Sequence, residues 1–149
     1  MKKTIGICMS LFAGLLFISS SSMAQTQNVQ VTVSGVKTDK GQLVLNIFND
    51  QATYEKETPA RKIKIDKKKL VNGSTVVTIP LEPGVYGITL LDDENNNGEM
   101  DKNMLKMPKE GFGFSNFYLE KMKRPTFEDF KILVTADHNT RVEIKVKYM

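Results

Sequence analysis

One cysteine, one histidine and no apolar run of membrane-spanning length set the first limits on this chain. The cysteine, Cys8, lies inside an N-terminal apolar stretch that carries the marks of an export signal. Without that stretch the chain has no thiol, so disulfides, thiolate nucleophiles and zinc–thiolate centres are all excluded. The lone histidine, His138, cannot build a His-rich zinc site, and it sits between Asp137 and Asn139 in a turn-like segment. It reads as a solvated turn residue rather than a catalytic base. The segment Gly113-Phe114-Ser115-Asn116-Phe117 lacks the final glycine of a Gly-x-Ser-x-Gly elbow, and no His-plus-Asp partner accompanies it. Asp92, Asp93, Glu94, Asp101 and Glu110 offer carboxylates for a two-carboxylate hydrolase. Their spacing is better explained by a bound cation, and the chain reads as a non-enzyme.

The apolar stretch defines the organisation. Lys2 and Lys3 form a basic n-region, Ile5–Ile18 an apolar core, and Ser22-Met23-Ala24 a small-x-small cleavage site. Ile5–Ile18 is shorter than the roughly 20 residues that cross a bilayer, and no second such run follows. Residues 1–24 are therefore expected to be a signal peptide and 25–149 one exported domain, periplasmic or extracellular, that does not span a membrane. Cys8 is too far from the cleavage site to be a lipid-attachment residue. Loss of Lys2 and Lys3 takes the net charge from +4 to +2, so the basic balance does not imply a polyanionic partner. The one basic run, Arg61-Lys62-Ile63-Lys64-Ile65-Asp66-Lys67-Lys68-Lys69, alternates lysine with isoleucine and reads as a strand with a solvated face. No nucleic-acid partner is expected.

No segment of ten or more residues carries a helical stripe; period-two alternation dominates. Val29, Val31 and Val33 share one face, as do Leu43, Leu45 and Ile47, with Asp39-Lys40-Gly41 between them as the turn of a first hairpin. Gln51–Lys56 has room for one helical turn. Arg61–Asp66 reads as a lysine-guarded edge strand. Thr75–Ile79, Gly84–Leu91, Phe127–Thr135 and Val142–Tyr148 complete about seven strands. This pattern predicts an all-β chain: a single antiparallel β-sandwich, Ig-like or transthyretin-like, with one long ordered loop. No internal repeat or linker divides it.

That loop, Asp92 to about Asn116, holds the most specific motif. With Asp93 at position 1, Asn95, Asn97 and Asp101 fall at positions 3, 5 and 9 of an EF-hand-type calcium loop. Gly98 takes the sharp turn, and Glu99 supplies the backbone carbonyl. Met104 stands where a bidentate Glu would complete the sphere, so calcium binding should be weak; Asp92 or Glu94 could replace the missing ligand. The alternative reading is a plain Asn97-Gly98 turn. Farther on, Phe112, Phe114, Phe117 and Tyr118 need either burial or a partner. Folded inward they close one end of the domain; displayed, they form a ligand surface for a glycan, peptide or envelope protein.

Three stretches also carry a resemblance: Leu81-Glu82-Pro83-Gly84-Val85-Tyr86, Asp92–Asn103 and Pro108-Lys109-Glu110-Gly111-Phe112-Gly113-Phe114-Ser115-Asn116. With Pro125-Thr126-Phe127-Glu128-Asp129-Phe130 they resemble, in order, the exported bacterial family catalogued as domain of unknown function 2141. The resemblance implies an export signal followed by one β-rich domain, and no established activity. Family members commonly carry His in the slot where this chain has Asp92, so a carboxylate stands here in place of that imidazole. The Pro-Gly-x-Tyr strand start also looks like transthyretin-like and carboxypeptidase-regulatory sandwiches, a likeness of fold alone.

Overall fold

The computed structural model describes residues 25–121 and 123–149. The expected signal peptide lies outside the described residues. Among the described residues eight strands form, β1 (Gln27–Ser34), β2 (Gln42–Phe48), β3 (Arg61–Asp66), β4 (Thr75–Leu81), β5 (Gly84–Asp93), β6 (Gly111–Phe114), β7 (Lys131–Val134) and β8 (Arg141–Lys145). Two short helices, α1 (Gln51–Glu55) and α2 (Phe127–Phe130), and a 3-10 turn at Lys67–Lys69 accompany them. Among the described residues no helix is long and apolar enough to cross a membrane.

The strands make two sheets. One has the order β4-β1-β8; the other runs β3-β2-β5-β6, with β7 also paired to β5. Their apolar faces meet in one core: Val29, Val31, Val33, Ile79, Val142 and Ile144 come from the smaller sheet. Leu43, Leu45, Ile47, Ile88 and Leu90 come from the larger. Burying each Leu or Ile side chain stabilises the fold by about 1.5–3 kcal/mol, which is why the alternation reads so cleanly. The lysine-rich β3 lies at an edge, as its composition demands.

Three expectations are corrected. The sheets are not wholly antiparallel, because β1 and β8 run parallel, Val31 opposite Val142. The Asp39-Lys40-Gly41 turn does not close a hairpin, since β1 and β2 belong to different sheets; the turn at His138 likewise carries the chain from β7 across to β8. Phe127–Phe130 is a helical turn rather than the start of a strand. There the Asp129 carboxylate accepts from the N–H and the hydroxyl of Thr126 (2.7 and 2.8 Å), and Phe127 and Phe130 both bury at i, i+3 spacing.

The larger sheet is covered on its outer face too. Phe48, Tyr54, Phe112, Phe114, Leu119, Phe127 and Phe130 form a second apolar cluster there. Strand β5 supports it through a divided edge. Its first half pairs with β7 and its second half with β6, and Ile88 falls between them. Ser115 fills that gap. Its N–H donates to the Ile88 carbonyl (2.9 Å), while its buried hydroxyl accepts from the Ile88 N–H (3.0 Å) and donates to the Phe130 carbonyl (2.6 Å).

Candidate functional site

The calcium-like motif begins where β5 ends. Asp93 is the last residue of that strand, fully buried, and its carboxylate gathers the turn that follows. The N–H groups of Asn97 and Gly98 donate to its two oxygens (3.0 and 2.9 Å), and the Gln42 side-chain amide donates to Oδ2 at 2.6 Å. Asn95 Oδ1 accepts from the Asn97 N–H (3.0 Å), and Asn97 Oδ1 from the Glu99 N–H (2.8 Å). The amide nitrogens of Asn95 and Asn97 in turn donate to the two oxygens of Asp101 (2.6 and 3.0 Å). Asn96 and Gly98 take left-handed φ of 62° and 78°, which makes so tight a coil possible.

The loop thus brings Asp93, Asn95, Asn97 and Asp101 together. A carbonyl or carboxylate oxygen that accepts one N–H keeps a second lone pair. The donors are all oxygen, with no sulfur or imidazole, which fits a hard cation such as calcium. In this arrangement two carboxamide NH2 groups sit against Asp101, so a cation would have to displace them. Among the described residues no group of three or more His, Cys, Asp or Glu side chains is gathered around one point.

Asp92 and Glu94 flank the motif in sequence, but neither is placed to supply the missing carboxylate. Neighbouring strand residues point to opposite faces, so Asp92 turns away from Asp93 and pairs with Lys67 and Tyr148. Glu94 is exposed and accepts from the Thr38 hydroxyl at 3.3 Å. Met104 is fully exposed, pointing outward. The residue that reaches the loop is Glu110. Its oxygens accept from the N–H groups of Glu94 (3.1 Å) and Asp101 (3.2 Å), and only 7% of its surface is exposed. Burial raises its carboxyl above the ordinary value against those two hydrogen bonds, and the charges of Asp101 and Asp93 push the same way. The register explains the meeting: Asp92 pairs with Gly111, so residues 93 and 110 stand opposite each other where the β5–β6 loop closes. The signal available in sequence was an acid immediately before Gly111-Phe112-Gly113-Phe114.

The aromatic segment packs mainly inward. Phe112 and Phe114 form β6 and meet edge to face, their centroids 6.0 Å apart. Phe117 lies half-buried against Phe114 at 6.3 Å. Tyr118 alone stays exposed, with the Lys145 ammonium 5.0 Å from its ring centroid. So the stretch expected to be one long ordered loop in fact contains a strand, β6.

The molecule is therefore a mostly β domain of two sheets with an oxygen-rich loop held between the ends of two paired strands. The chain belongs to the family described as uncharacterized proteins conserved in bacteria (DUF2141), whose sequence profile matches residues 31–143. That span takes in the oxygen-rich loop and all of the larger sheet. No curated protein and no solved structure matches the chain.

Proposed function

We propose that this protein is an exported, non-enzymatic β-sandwich module of Ig-like or transthyretin-like kind, in which calcium bound by the Asp93–Asp101 loop orders one end of the domain. One observation carries the reading: the side chains of Asp93, Asn95, Asn97 and Asp101 converge within one turn of chain, with the buried Glu110 carboxylate beside them. The first four, with the Glu99 carbonyl, are the calcium ligands; Glu110 stands in for the carboxylate missing at Met104. Extracellular modules bind calcium at about 10⁻⁴–10⁻³ M, and a loop that must first release two carboxamides from Asp101 belongs there. Residence is periplasmic or extracellular, where calcium at such levels is met.

The test is the thermal melting of residues 25–149 with millimolar calcium, with magnesium and with chelator. Calcium at ten times Kd should add about 1.4 kcal/mol, a rise of several degrees. A calcium-selective rise that Asp93→Ala plus Asp101→Ala abolishes supports the site. No rise up to about 10 mM reduces the motif to an Asn97-Gly98 turn.

A second reading, recognition of a glycan, peptide or envelope protein through residues 92–118, draws support from the exposed Tyr118 ring and from the cleft beneath the loop.

A further inference from the structure

The loop does not lie flat on the sheet. Between its outer segment and the outer face of the larger sheet is a cleft of about 690 Å³, walled by residues 98–100 and 106–108 and by Tyr54 and Arg124. One register row crosses its floor. Lys62 on β3 is opposite Asn46 on β2, and Asn46 is opposite Thr89 on β5. All three line the cleft, whereas the neighbouring rows present Phe48 on one side and Leu91 with Phe112 on the other. A polar stripe thus runs through an apolar, aromatic floor.

Folding alone does not account for that stripe. The carboxamide oxygen of Asn46 is removed from solvent and accepts no hydrogen bond, so an apolar residue would suit the free protein better. Among the described residues Lys62 takes part in no ion pair. With that oxygen out of reach of solvent, the NH2 is the end of the Asn46 carboxamide left for a ligand. Lys62, Asn46 and Thr89 can then present an ammonium, an amide N–H and a hydroxyl in one line. Three donors, one of them charged, beside Phe48, Phe112 and Phe114 match an anionic head on an apolar body. Met100 and Met107 in the wall are unbranched and adapt to the shape of such a body.

We infer that this cleft is a binding site for an amphipathic organic carboxylate, its head on the Lys62–Asn46–Thr89 row and its apolar body over Phe48 and Phe112. The inference goes beyond the calcium reading: the floor belongs to the sheet, and only one wall belongs to the loop.

The test titrates residues 25–149 with decanoate, decanol and decylamine by calorimetry, in calcium and in chelator, while amide NMR shifts locate the site. Decanoate should bind saturably and ahead of decanol, decylamine should bind least, and the shifts should centre on residues 46, 62 and 89. Lys62→Gln, on an exposed edge strand, should weaken decanoate about tenfold through the lost charged contact. Asn46→Leu should weaken binding while raising the melting temperature, which separates a lost ligand contact from a damaged fold. Lys62 dependence in chelator upholds the site whatever the loop binds. The absence of saturable binding, equal affinity for decylamine, or an unchanged affinity in Lys62→Gln overturns it.

Discussion

Lys67 and Asp92 form an ion pair in the interior, with no solvent access to either side chain. Lys67 opens the 3-10 turn after β3, Asp92 lies one residue from the end of β5, and the Tyr148 hydroxyl donates to the second Asp92 oxygen at 2.5 Å. Three distant parts of the chain are tied at one point. Removing one partner strands a charge that water cannot reach, whereas removing both does not. Lys67→Met should therefore lose about 3–5 kcal/mol in urea unfolding, and Lys67→Met with Asp92→Leu should recover most of it. A single-variant loss below about 1 kcal/mol would show that the pair does not hold the fold.

The same cluster makes a prediction in alkali. Burial, and then the hydrogen bond to Asp92, push the Tyr148 phenol above its ordinary value. In the unfolded chain that phenol ionises near pH 10, before it does so in the native state. The native state then holds the proton longer, so its contribution is complete below about pH 10 and is lost as pH rises beyond that. Urea midpoints measured from pH 8 to 11 should fall less steeply in Tyr148→Phe than in the parent. Parallel curves would mean that other groups carry the alkaline loss.

Ser115 gives a prediction in the sheet itself. Its hydroxyl joins the Ile88 N–H to the Phe130 carbonyl at the point where β5 passes from β7 to β6. In Ser115→Ala both groups would lose that bond in a buried setting, each at about 1–3 kcal/mol. We expect a loss of about 2–4 kcal/mol and faster exchange of the Ile88 amide than of its strand neighbours. Unchanged Ile88 protection would show that water or a backbone shift replaces the hydroxyl.

What could be read in advance follows from the physics each level encodes. The inward faces of β1 and β2, the guarded edge at β3 and the turn of α1 rest on local periodicity and capping, so they were legible. Strand partners were not. Alternation says which face of Val31 is buried, but nothing about whether its neighbour is a β2 hairpin strand or the parallel β8. The loop residues Asp93, Asn95, Asn97 and Asp101, within nine residues of one another, were visible as spacing. Glu110 was not, because only the β5–β6 register carries it back to Asp93. Asp92 misled for a similar reason: its place beside Asp93 in sequence became the opposite face once β5 extended through both.

That distinction between spacing and register gives the sharpest test of the loop. If Glu110 completes the cation site, Glu110→Gln should shrink the calcium-induced rise in melting temperature while leaving the calcium-free protein about as stable. The replacement keeps an oxygen for one of the two N–H groups of Glu94 and Asp101, which the two carboxylate oxygens accept separately, and offsets the lost bond by removing a charge that Asp93 and Asp101 repel. Loss of a charged ligand from a hard-cation site should weaken calcium about tenfold or more, a Kd change readable by calorimetry. Met104→Glu tests the same idea from the other side. Met104 points outward on the loop, so a carboxylate there should not restore affinity to Glu110→Gln. If it does restore it, the loop closes on its own position 12, and the register-borne Glu110 is a structural acid instead.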